Sequence, residues 1–338
     1  MTELSTFGSA LQTAIRRRLL FVAFVGTVMA FGLLFPFPVG GRLWSEVFNL
    51  AHAPAFCGIL ILIAAQLDPA VIRKTVIRKE PPKQRIATMT PSRILILALM
   101  LMIAGTGGEL MQTFAGRHSS ISDILANTLG LVAGGIWLVA QNLQTRIRSA
   151  VRFGAVFLIA AVSANPALNI LDCIQQINSF PQLASFERPR ELSSWYAQNA
   201  IMVRSTDWSV DGSHSMKLTM EPLEFSGTGM NWLEGDWSRF RELRFSIFNP
   251  SENMVPLILR IEDHAHELSD FEPSDRFQQV IELAPKAVQE IQIPIDELRQ
   301  APQSREMDVT SIRQIELYCY RPPSNLTIYL DHVHLVAD

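Results

Sequence analysis

The sequence predicts a multi-domain chain: an α-helical transmembrane bundle of five helices, then an all-β jelly-roll sandwich. Two observations carry this. Up to about Ala167, long uncharged apolar runs alternate with basic stretches, and runs near ~20 residues suffice to cross a bilayer core. Beyond Phe186 the hydrophobic pattern becomes short alternating segments bounded by turn residues, as half-buried strands require.

A chain of 338 residues with 48% hydrophobic content has room for about two domains. The net charge of −3 argues against a nucleic-acid binder, which needs a basic face. Cys57 lies inside an apolar run and reads as a packed thiol. Cys173 and Cys319 are able to pair only if both meet an oxidising compartment, and two lone cysteines do not make a disulfide framework.

The first span is expected over 19–39, directly after Arg16, Arg17 and Arg18. Pro36-Phe37-Pro38-Val39-Gly40-Gly41 does not resemble an Ala-x-Ala cleavage site, so this span reads as uncleaved. Further spans are expected over 47–67, 94–115, 124–145 and 153–171. Arg73, Lys74, Arg78, Lys79, Lys83, Arg85 and Arg93 fill the connection between the second and third, and Arg146, Arg148 and Arg152 that between the fourth and fifth. The alternate connections hold only Arg42 and Arg117. By the positive-inside rule the N-terminus and basic loops face the cytoplasm, and five spans then place the C-terminal half outside it. The domains are therefore 1–172 in the membrane, a linker over 173–185, and an extracytoplasmic sandwich over 186–338.

In the second half, 216–220, 243–248, 257–261, 277–283, 312–320 and 326–336 read as strands, within a total of about eight. Asp211-Gly212, Asn249-Pro250 and Pro322-Pro323-Ser324-Asn325 are turn signals. Short strands at this density suggest a sandwich or jelly roll.

One stretch of the membrane half is conspicuously polar. Glu109 and Gln112 are three apart, Asp123 and Asn127 four apart, so each pair shares a helix face. Arg117 and Ser120 lie in the short connection between the two helices, and His52 on the second span is placed to join them. Gly130 and Gly134 form a small-xxx-small pair that lets another helix approach closely. Two readings stay open for this cluster. It is a hydrogen-bond and ion-pair network fixing helix register, or it is a pocket for a polar or anionic head group, since ionisable groups within membranes are so often functional. No nucleophile signature and no ligand spacing that dictates a metal accompanies it.

These residues in this setting (His52, Phe56, Glu109, Gln112, Arg117, Ser120, Asp123, Asn127, Gly130 and Gly134) resemble the VanZ-like family of bacterial membrane proteins over roughly residues 15–145. Family members often carry an Asp-Lys pair shortly before the histidine, where this chain has Asn49 and Leu50. The resemblance implies a bacterial cytoplasmic-membrane protein. Some family members are associated with glycopeptide resistance, and the resemblance supplies no reaction.

Asp236-Trp237-Ser238 entering a strand and the closing Leu330-Asp331-His332-Val333 resemble the galactose-binding-like jelly roll of carbohydrate-binding modules similar to family 11, over roughly residues 186–336. Trp237 in that context reads as core. Sugar-binding faces use aromatics to stack and polar side chains for hydroxyls, which makes Trp232, Arg260, Asp263, His264, Tyr318 and Tyr320 the candidate glycan ligands. The same resemblance implies a structural calcium held by Glu187 and Asp331, oxygen donors of the kind that ion takes. His264 and His266 lack an evident third ligand for zinc and read as solvated.

The expected function is recognition of a polysaccharide or lipid-linked glycan by a non-enzymatic envelope protein, with the lipid bilayer and other membrane proteins as partners. A membrane enzyme acting on a lipid-linked or cell-wall glycan, and a structural partner of a polysaccharide export complex, are the alternatives.

Overall fold

The structure is a computed structural model, and it describes residues 16, 20–21, 23–27, 41–67, 89–114, 121–231, 233 and 235–337. The chain divides into two compact units, Met1–Gly40 with Trp44–Leu168, and Gly41–Leu43 with Asn169–Asp338.

The first unit is helical. Its elements are α1 (Arg42–Leu67), α2 (Pro91–Phe114), α3 (Ile121–Val139) and α4 (Thr145–Ser179), the last continuing into the second unit. Among the described residues these four are long and apolar enough to cross a membrane, with mean hydropathy between 1.6 and 2.0. The first expected span, 19–39, lies largely outside the described residues; where described, 20–21 and 23–27 are helical. Phe56, Leu60, Ile94, Leu101, Leu131 and Leu138 form the interior. Large apolar side chains such as Ile103, Phe153 and Phe157 point outward, which suits hydrocarbon and not water.

The helices differ from expectation at their ends. α4 begins at Thr145 and includes Arg146, Arg148 and Arg152, because arginine is a good helix former and charge does not end a helix. The Arg152 guanidinium lies 4.6 Å from the centre of the Trp137 ring, a cation–π contact. Pro166 does not stop α4, which runs on to Ser179 through much of the stretch assigned to a linker.

The second unit is a two-sheet sandwich. One sheet runs β3 (Ala200–Ser205), β4 (Ser215–Met220), β11 (Leu326–Val336), β6 (Glu242–Phe248) and β9 (Val288–Pro294), with β1 (Gln182–Ala184) also on β11. The other runs β2 (Trp195–Gln198), β5 (Phe225–Asn231), β10 (Ile312–Tyr320), β7 (Val255–Asp263) and β8 (Phe277–Leu283). All pairings are antiparallel. Among the described residues eleven strands form where about eight were expected. Those given no position beforehand are β1, β2, β3, β5 and β9, and the short helix α5 (Ile295–Gln300) was not expected. Inward strand residues such as Met216, Phe245, Leu257 and Leu317 fill the core together with Phe186 and Trp237 from the connections.

Trp237 is fully buried, as its turn context predicts, and Asp236 caps that turn by accepting from the Ser238 N–H. Asn249 is likewise buried: Nδ2 donates to the Asn253 and Leu283 carbonyls, and Oδ1 accepts from the Ser251 N–H. Among the described residues Cys57, Cys173 and Cys319 form no disulfide.

Candidate functional site

The first unit carries a polar cluster built by close helix packing. A β-carbon at Gly130 on α3 would run into the Ala53 carbonyl of α1, and one at Gly134 would come within 3.1 Å of the Cys57 carbonyl. Only glycine allows the two backbones this near. The same contact sets His52, next to Ala53, beside α3, where its Nδ1 lies 2.9 Å from Asn127 Oδ1. α2 is seated by Gly105, whose missing side chain makes room for the Phe56 ring 2.7 Å from where a β-carbon would stand. That helix brings in Glu109, which is 1% exposed. Asp123, in the first turn of α3, completes the group. One ligand atom each from His52, Glu109 and Asp123 lie within 4.8 Å of one another.

Four of the seven residues expected in this cluster thus converge. Gln112 lies on the last turn of α2. Arg117 and Ser120 fall outside the described residues. Asn127 Nδ2 is buried and finds no hydrogen-bond partner among the described residues.

In the second unit the outer face of the β2-β5-β10-β7-β8 sheet gathers polar and aromatic side chains in cross-strand rows. Register places Tyr196, Gly229, Glu316, Arg260 and Gln278 in one row across all five strands. The Tyr196 hydroxyl donates to Glu316, and Gln314 Nε2 donates to Glu316 at 2.6 Å. Arg260 pairs with Glu316 at 3.0 Å and with Glu262 at 2.6 Å. Burial pushes the Tyr196 hydroxyl well above the ordinary phenol range, and the hydrogen bond to Glu316 pushes it further. Burial opposes the charge on Arg260, but Glu316 and Glu262 outweigh it and hold the guanidinium above its ordinary value.

The next row carries Tyr318 opposite Gly227, and beyond it Tyr320 stands opposite Phe225. Phe225 lies 6.0 Å from Tyr318 and 5.2 Å from Tyr320, ring centre to ring centre, and is 44% exposed. Tyr320 is 49% exposed. The face therefore offers an aromatic end and a charged, hydrogen-bonding middle. Both glycines of β5 are required for it. A β-carbon at Gly229 would stand 2.5 Å from the Tyr196 ring, and one at Gly227 would collide with Leu317 and Tyr318.

Of the expected glycan ligands, Arg260, Tyr318 and Tyr320 share this face. Trp232 lies outside the described residues. His264 is exposed on a short 3-10 turn. Asp263 is not available to a ligand. It is fully buried, grips Arg305 through both oxygens at 2.6 and 2.7 Å, and accepts from the Asp308 N–H at 2.7 Å. His266 is buried, not solvated: Nδ1 lies 3.1 Å from the Asp275 carbonyl, and Nε2 lies 3.4 Å from Glu262. Sequence reasoning missed Tyr196, Phe225 and Glu316. Glu316 carried a signal, the alternation Gln314, Glu316, Tyr318, Tyr320 along a strand already recognised.

Glu187 and Asp331 do converge, but on backbone. Asp331 is fully buried and accepts from the N–H groups of Val210, Asp211 and His332. Glu187 accepts from the N–H groups of Ser213 and His214. Against the desolvation cost, these donors hold the Glu187 carboxyl at about 2. Gly212 has φ +68°, and a β-carbon there would stand 2.5 Å from Glu187 Oε1, so glycine is required twice over. The two carboxylates pin one loop from two sides, with N–H groups standing where a cation would bind. This donor set does not fit a resident calcium, which needs six to eight oxygen ligands with free lone pairs.

No family model matches the chain, and no curated protein matches it. Solved structures similar to it include an exo-beta-agarase (TM-score 0.38, 18% identity, covering 46% of this chain and 25% of that one). A family 11 carbohydrate-binding module from Clostridium thermocellum, in complex with a beta-1,3-1,4-mixed-linked tetrasaccharide, matches at TM-score 0.34 and 17% identity over 46% of this chain and 94% of the module. A family 30 module of a Clostridium thermocellum cellulosomal cellulase matches at TM-score 0.35 and 12% identity, over 43% and 92%. The chain thus spans about a quarter of the agarase and nearly all of each module. The sandwich itself is defined by its two hydrogen-bonded sheets.

Proposed function

We propose that this chain is a membrane-anchored glycan-recognition protein of the bacterial envelope. Its apolar helices hold it in the cytoplasmic membrane with the N-terminus inside, a reading supported by the basic residues that flank alternate helices. The sandwich then stands on the outer side. It binds a polysaccharide or lipid-linked glycan along the outer face of the β2-β5-β10-β7-β8 sheet. The observation that carries the reading is the Phe225, Tyr318 and Tyr320 group beside the Arg260–Glu316–Tyr196 network on one face. Exposed rings stack on the apolar faces of sugars, and charge-assisted hydrogen bonds fix hydroxyl groups. The membrane cluster of His52, Glu109, Asp123 and Asn127 gives a second polar site, suited to a lipid-linked head group. The role is recognition without turnover.

The test is retention of the full chain, in detergent, on a panel of cell-wall fragments and exopolysaccharides. Tyr318→Ala and Tyr320→Ala should each weaken retention by about tenfold, in line with ~1–1.5 kcal/mol per aromatic contact. Retention unchanged in both variants, or absent in the wild type, would remove the glycan reading.

A further inference from the structure

We propose that His52, Glu109 and Asp123 form a three-ligand site for a divalent transition-metal ion, with Asn127 orienting the histidine. The proposal goes beyond glycan recognition by the sandwich and does not depend on it. Three observations support it. First, one imidazole nitrogen and two carboxylate oxygens, from three different helices, gather within 4.8 Å of one another. Ligand atoms around an ion with ~2.1 Å bonds sit roughly 3–3.4 Å apart, so at most about 1.5 Å of side-chain closure completes the site. Metal sites of helical bundles are assembled in this way, from side chains on facing helices.

Second, His52 has the partner that metal-bound histidines have. With Nδ1–H donated to Asn127 Oδ1 at 2.9 Å, the tautomer is set and the Nε2 lone pair remains to bind metal. Third, the ligands stand on backbones that cannot drift. Gly130 against Ala53 locks α1 to α3, and Gly105 against Phe56 locks α1 to α2. Mixed nitrogen and carboxylate donors suit zinc or manganese better than calcium or copper(I). Three protein ligands leave a further position for water or an anionic oxygen.

The probe is Zn²⁺ alone, titrated into full-length protein in detergent after chelator treatment, read by bound-metal stoichiometry and by melting temperature. The wild type should take up one equivalent and melt higher with it. His52→Ala, Glu109→Gln and Asp123→Asn should each lose that equivalent. Asn127→Ala should keep the stoichiometry but weaken affinity by about 10–100-fold, the usual effect of removing an orienting partner. His332→Ala should change nothing, which excludes zinc on the stacked His332 and His334 rings of the sandwich. Zinc uptake retained in all three ligand variants would overturn the proposal. If those variants do not fold, a wild type that neither binds zinc nor is stabilised by it would overturn it equally.

Discussion

Asp263 shows how one side chain's surroundings decide its role. As an acidic residue in a loop flanking strands it looks like a hydroxyl-binding ligand. In the fold it is sealed under Arg305, which also reaches Asp275 at 2.7 Å. The Arg305 hydrogen bond holds the Asp275 carboxyl at about 2. The loop after β7 is thus clamped to the residue 305–308 segment. Asp263→Ala would leave a guanidinium half without its partner and the Asp308 N–H without an acceptor. A loss of about 3 kcal/mol or more in unfolding free energy is expected, read by denaturant melts. Polysaccharide retention by the folded fraction should not change; a selective loss of retention at unchanged stability would make Asp263 a ligand after all.

At the scale of elements, glycine placement links packing to chemistry in both units. Gly130 determines how closely α1 meets α3, and through that whether His52 reaches Asn127. Gly130→Val should therefore part the two helices. We expect a lower melting temperature in detergent, with His52→Ala adding less to the Gly130→Val background than to the wild type, because the contact is already broken. Full additivity of the two changes would show that Gly130 does not position His52. β5 makes the parallel point in the sandwich. Two glycines weaken it as an isolated strand, yet they make room for Tyr196 and Tyr318.

For the whole molecule, two consequences are measurable. On the proposed orientation, with the N-terminus inside, a reporter fused after Asp338 should be active outside the cytoplasm; activity only within would reverse that topology. The second concerns acid. Glu187 and Asp275 are both held at about 2 in the fold, below the ordinary carboxylate range near ~4. Groups with depressed values contribute stability that is present above the unfolded-state value and lost as pH falls through the folded one. The sandwich should therefore keep its full melting temperature near neutrality and lose it progressively from about pH 4 towards pH 2. Near-ultraviolet circular dichroism would follow this, and a melting temperature flat across that window would contradict it.

The sequence by itself determined the class of each half. Apolar run length decides what can cross a bilayer, and the two-residue period decides which face of a strand is buried; both are local properties. β8, β10 and β11 were accordingly legible at their observed bounds. So was the convergence of His52, Glu109, Asp123 and Asn127, because helical spacing and a short connection constrain it. Tertiary structure decided the rest. β5 is glycine-rich and β2 short, so neither announces itself; both exist because β10 and its neighbours pair with them. Tyr196 and Glu316 come together across 120 residues, a contact no local pattern encodes. Whether Glu187 and Asp331 meet a cation or backbone N–H groups depended on where the loop around Gly212 lies, and that is set by packing, not by the residue types.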